Sequence, residues 1–351
     1  MINNPYSSCH LGFNAICATV PTKEEYDFSC GEYEELRSFI NSALEEYRKF
    51  DLSITRAFNA YDFVKIYGVD KGLASFLSDT FALEEITGIP RNCLSSAPTV
   101  ICLEGLGSFI INVVKRIIEF FKKLYETIMR FLGIKTFRQR RIEKDLDTIK
   151  RKVENMSDIE FKGIIKQNIK CNVSTMSLVE LDRFIEDVGS IYGLLVQHKD
   201  TNDIKALVSA TSGMLTQIGF KTVDEYKIVA DKGLPYKDFN SNVTLNIEND
   251  FGIKDRMDIV SRIHSINEIL STLTDIRRWY PANLQKYASR AQNIQIDPND
   301  PRTIELHEES IRKLNEEQKC QAYMCKYIVI YLEFVDTLCA RAIATFGTVT
   351  K

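Results

Sequence analysis

Four histidines, nine cysteines and several adjacent carboxylate pairs are the groups in this 351-residue sequence that could carry proton transfer, nucleophilic attack or metal ligation. His10, His198, His264 and His307 are too far apart to form an HExxH pair, and each reads as a lone surface or core imidazole. Cys9, Cys17, Cys30, Cys93, Cys102, Cys171, Cys320, Cys325 and Cys339 are odd in number and scattered, without the paired spacing of a zinc site or a dense disulfide frame. A reducing compartment during synthesis fits them. Cys320 and Cys325 would stand about 140° apart around one helix and read as small buried hydrophobes. Glu34 and Glu35, Glu45 and Glu46, and Glu84 and Glu85 are sequence neighbours, so on a helix they do not face each other and belong to a solvated face. There is no GxxxxGK[ST] phosphate loop, no GxGxxG and no GxSxG elbow; "GLGSF" at 105–109 lacks a preceding strand and reads as a flexible entry into a helix. The residues therefore predict no catalytic site, no metal, no cofactor and no small-molecule substrate.

What the sequence does concentrate is charge. Residues 1–104 carry 8 Lys and Arg against 15 Asp and Glu, a net −7, whereas 105–141 carry 9 against 2, a net +7, within a chain of net −3. The basic stretch opens with "GLGSFIINVVKRIIEFFKKLYETIMRFLG" at 105–133. Wound on a helix, Ile110, Val113, Val114, Ile117, Phe121, Leu124, Ile128 and Phe131 fall on one broad apolar face. Lys115, Arg116, Lys122, Lys123 and Arg130 occupy the other, and Arg138, Arg140 and Arg141 of "RQRR" follow just beyond. Such an element can lie against three things. Its apolar face can seal the core of a bundle, or enter the headgroup plane of an anionic membrane. Its cations can also neutralise nucleic-acid phosphates without reading sequence.

The elements that must hold this stretch are predicted to be helical almost throughout. "SDIE" at 157–160, "SLVE" at 177–180 and "TVDE" at 222–225 have the spacing of capping boxes. Asp300 and Pro301 form an N-cap followed by proline at the first helical position, opening a helix expected over 301–346, with Ile304, Ile311, Leu314, Ala322, Cys325, Ile328, Tyr331, Leu332, Val335 and Leu338 as its buried stripe. Further helices are expected at 32–49, 73–86, 107–132, 138–155, 178–198, 202–217, 222–231, 254–278 and 282–293. "NVTLNIE" at 242–248 alternates like a strand but has no evident partner. Trp279 in "RRWYP" stands at an expected helix end. The run "KYIVIYLEFVDTLC" is broken by Glu333 and Asp336, no stretch of 18 apolar residues exists, and residues 1–30 show no secretory signal, so the chain reads as made soluble. The class is all-α: an acidic helical unit or propeptide over 1–90, a linker over 91–104 rich in turn residues, the basic amphipathic helix over 105–141, and a helical bundle over 142–351 ending in one very long helix.

The order of an acidic leader, a linker, "CLEG" and the basic helix resembles the internal head proteins of giant tailed bacteriophages, which are carried inside the capsid and ejected. The resemblance spans about 40 residues around Glu104 to Gly133 and implies a non-enzymatic virion protein, made in the host cytoplasm and packed in the head interior. In that group a prohead protease removes an acidic propeptide by cutting after Glu in a small-x-Glu motif. The resemblance thus assigns Cys102, Leu103 and Glu104 to that motif, with cysteine where serine or alanine is more usual, and Gly105 as the new N-terminus. It implies other virion proteins or packaged DNA as partners, and host envelope contact during ejection. Two other readings share the pattern: a peripheral membrane-binding or pore-forming helical protein capped by residues 1–104, and a plain scaffold or adaptor with 105–133 as the central helix of its bundle.

Overall fold

The computed structural model describes residues 23–69, 71–81, 97–171, 175–201, 203, 205–210, 243–297 and 300–350. In chain order the elements are α1 (Lys23–Tyr67), α2 (Lys71–Phe81), α3 (Ala97–Asn155), α4 (Asp158–Ile165), β1 (Asn168–Cys171), α5 (Leu178–His198), β2 (Val243–Asn246), α6 (Ile247–Phe251), α7 (Arg256–Gln292) and α8 (Pro301–Gly347). The fold is all-α. Its one departure among the described residues is an antiparallel ribbon in which Asn168 faces Asn246 and Cys171 faces Val243. The strand expected at 242–248 therefore has a partner, "NIKC", whose polar make-up hid it. The expected helix at 222–231 and the "TVDE" cap lie outside the described residues.

The spine is α3, 59 residues long and so about 88 Å from end to end. Its buried positions, Cys102, Leu106, Ile110, Val113, Ile117, Phe121, Leu124, Ile128 and Phe131, recur at steps of three and four, and Leu146, Ile149 and Val153 continue the stripe. It packs chiefly along α7, with α1, α8 and α2 also against it, and α8 in turn contacts α1, α5 and α7. Buried side chains from all these helices form one continuous apolar cluster.

Where caps are chemically explicit, the helices begin as the sequence predicts. Ser177 and Glu180 make a full capping box for α5. Ser157 accepts from the Glu160 amide at the start of α4, and Asp300 accepts from the Arg302 amide ahead of α8, with Pro301 at the first turn. All ten predicted stripe residues of α8 are buried.

Several boundaries differ from expectation, each where tertiary burial overrides a local breaker. The helix expected at 32–49 runs over Lys23–Tyr67 because Ile54, Ala57, Phe58, Tyr61 and Val64 extend the buried stripe of Tyr33, Leu36, Ile40 and Leu44. It stops at Gly68, whose φ of 68° is the left-handed conformation glycine adopts freely. The Val69 amide then donates to Thr99 Oγ1 at 3.2 Å, tying the end of α1 to the start of α3. The helices expected at 107–132 and 138–155 are one, uninterrupted at Gly133. More than half of the span expected to be linker, from Ala97 to Glu104, is already helix. Likewise α7 passes through Pro281, because buried Ile259, Ile263, Ile266 and Leu270 before it and Leu284, Tyr287 and Ala291 after it lie in the same core.

Candidate anion-contact and processing sites

Because α3 is a continuous helix with one face buried, the positions of its cations follow from the 3.6-residue period. Ile110, Val113, Val114, Ile117, Phe121, Leu124, Ile128 and Phe131, the residues expected to face a membrane, are at most 6% exposed and point into the core. The Phe131 ring packs edge-on against Tyr33 of α1 at 5.3 Å between centroids, and Phe121 stacks on Tyr287 of α7 at 5.6 Å. In this conformation the apolar face is occupied by protein.

The opposite face carries Lys115, Arg116, Lys122, Lys123 and Arg130, all exposed, over about 22 Å of helix. Arg130 is bound to Glu35 of α1 at 3.0 Å, a solvated pair with little energetic weight. Among the described residues Lys115, Lys122 and Lys123 have no ion-pair partner. They make a row open to an external anion. The "RQRR" cations divide: Arg140 is exposed, whereas Arg141 is half-buried beside Asp145, whose carboxyl is raised by burial and pulled back by Arg141 and Lys144.

Arg138 turns inward instead and forms part of a cluster that sequence reading missed. Its Nη1 lies 3.5 Å from Asp336 Oδ2 on α8, and the Tyr33 hydroxyl of α1 donates to the same oxygen at 2.6 Å. One turn away, Arg37 of α1 forms an ion pair with Glu333 of α8, with side chains 5% and 2% exposed. The cluster bridges α1, α3 and α8. Removing either member of a buried pair strands a charge in the core, at a cost of about 3–5 kcal/mol. Beside it Gln139 donates to the Leu270 carbonyl at 2.9 Å and accepts from Arg277 at 2.8 Å, joining α3 to α7. The signal for the cluster was Glu333 and Asp336 inside an apolar run, since a carboxylate in such a place needs a buried partner.

The four residues assigned to processing sit in the first turns of α3. Cys102 is fully buried, its thiol pushed above the usual range by that burial, while Leu103, Glu104 and Gly105 are half-buried and Leu106 is fully buried.

Among the described residues the remaining titratable groups are dispersed. His264 lies 3.4 Å from Glu268 on the surface, and no cluster of potential metal ligands is found among the described residues. A surface cleft of about 300 Å³ between α4 and α7 includes Glu154, Asp158, Lys162 and Arg256. There Arg256 is already engaged by Asp158 at 2.5 Å and by the Met156 carbonyl at 2.6 Å. Among the described residues no helix is long and apolar enough to cross a membrane.

The described residues thus form a long helical spine with a sealed apolar face and an exposed lysine row. Residues 93–176 match the family model of phiKZ-like phage internal head proteins, the group whose resemblance the sequence carries around Glu104. The matched span includes the whole of α3 and ends just before α5. It places the protein inside a phage head as a structural component of the virion. No curated protein and no solved structure matches the chain.

Proposed function

We propose that this virion protein contacts packaged DNA through the outer face of α3 and that its chain is cut after Glu104. The observation that carries the first part is the exposed row Lys115, Lys122 and Lys123 on a helix whose other face is packed against α1, α7 and α8. Lysines on a rigid rod act as point charges against phosphates, and such backbone contacts carry no sequence information. With its apolar stripe turned inward, α3 presents chiefly charge to its surroundings, five cations with Glu119 and Glu126 among them, which favours the polyanion inside the head over a bilayer as partner.

Duplex DNA binding by the full chain, followed by fluorescence anisotropy over a salt series, tests this. Replacing Lys115, Lys122 and Lys123 together by Gln should reduce the slope of log K against log salt by about 3, since each phosphate neutralised contributes roughly 0.9. An unchanged slope would remove the row from the interface. The cut rests on "CLEG" and on the charge reversal around it, from −7 over 1–104 to +7 over 105–141. Mass spectrometry of purified virions should find a peptide whose N-terminus is Gly105. Finding only peptides that read through Glu104–Gly105 would dispose of it.

A further inference from the structure

We infer that α1 is a permanent part of the fold, and that cutting the chain ahead of α3 leaves residues 23–67 docked on α3 and α8. This extends the processing reading given above to a cut just ahead of Ala97, whereas the Glu104–Gly105 bond lies within the first turns of α3, and it is tested independently of that reading. An acidic segment ahead of a cut is ordinarily taken to be disposable, yet the geometry of α1 is that of a core helix. Its 45 residues run about 68 Å along the molecule. Leu36, Ile40, Leu44, Ile54, Phe58 and Tyr61 are each at most 7% exposed, and they belong to the same apolar cluster as α3, α7 and α8.

Polar contacts fix the docking at both ends. Toward the N-terminal end of α1, Arg37 neutralises Glu333, and Tyr33 donates to Asp336. Toward the other end, Lys65 pairs with Glu305, and the Arg312 guanidinium lies over the Phe58 ring at 4.8 Å. If α1 left, the apolar residues of α3 and α8 that it covers would meet water, and Glu333, 2% exposed with α1 in place, would lose its Arg37 partner; the exposed apolar surface makes departure unfavourable. The face of α3 and α8 that receives α1 is therefore an interaction surface whose occupant is the chain's own leader. A cut ahead of α3 changes connectivity, while residues 23–67, with 6 Lys and Arg against 10 Asp and Glu, remain beside the basic helix.

The test uses the full chain with a recognition sequence for a site-specific protease inserted between Ser95 and Ser96. The cut is thereby imposed whether or not a head protease acts at Glu104. After complete cleavage, size-exclusion chromatography at about 1 µM should show both fragments co-eluting, which sets their dissociation constant below that value. Separation of the fragments, with the larger one soluble or aggregated, overturns the inference. In the cleaved protein Arg37→Met should weaken retention at least roughly 30-fold, by stranding the Glu333 charge. Arg37→Met combined with Glu333→Met should recover most of that loss. A single variant that holds its leader as tightly as the parent would show that the ion pair plays no part.

Discussion

Glu333 interrupts the apolar run of α8 and is as inaccessible as the leucines around it, 2% exposed. Read along the chain, it rules out a membrane span; read in three dimensions, it selects Arg37, nearly 300 residues earlier, as its counter-charge. The pairing was not legible because Arg37 lies among surface-type residues in "YEELRSF", where nothing local distinguishes it from its solvated neighbours. Tyrosines and thiols make a second point at this scale. Burial, reinforced by Glu305, pushes the Tyr61 hydroxyl up to about 12, and burial with Glu317 does the same for Tyr287. Burial also raises the Cys320 and Cys325 thiols to about 12. Each group ionises more easily in the unfolded chain than in the fold, so its contribution to stability is complete below its ordinary pKa and is lost as pH rises through the raised one. The midpoint of urea unfolding should therefore hold steady up to about pH 9 and fall between pH 9 and 12, with the phenolate absorbance of these tyrosines appearing only as the protein unfolds.

Helix boundaries show which local signals survive tertiary packing. Starts with explicit hydrogen-bonding chemistry, Ser177 with Glu180 and Asp300 with Pro301, are where the sequence predicts them. Breakers fared worse. Gly133 and Pro281 each suggested a stop, and α3 and α7 run through both, because each disfavoured residue is outweighed by the buried side chains before and after it. Gly133 is exposed, and open space surrounds the position a Cβ would take. Gly133→Ala should accordingly stabilise the protein by about 0.5–1 kcal/mol through lower backbone entropy in the unfolded chain, measurable as a higher urea midpoint at unchanged slope. A loss of stability would mean that the helix bends at Gly133 in solution. The short ribbon lay beyond sequence reading for a different reason: β1 has too few residues, and too polar a set, for an alternating pattern to be visible.

At the scale of the molecule, the segregation of charge was legible and the sharing of the core was not. Counting residues locates the reversal near 104 and suggests separable pieces. Packing joins α1, α3, α7 and α8 in one apolar cluster, since periodicity identifies a buried face without saying which other face covers it. The lysine row was readable for the same reason that the partner of the apolar face was not: solvent exposure follows from the helical period alone. The placement of Cys102, Leu103, Glu104 and Gly105 inside formed helix, between fully buried Cys102 and Leu106, carries a consequence for timing. An endopeptidase grips its substrate as an extended strand, so hydrolysis at this bond would have to wait for the first coils of the spine to fray. When refolding outruns hydrolysis, the rate follows the fraction of time those coils are open; when hydrolysis is faster, it follows the opening step itself. The Val69–Thr99 hydrogen bond pins those same coils to the end of α1, so the leader's own anchorage would act as a brake on its severance.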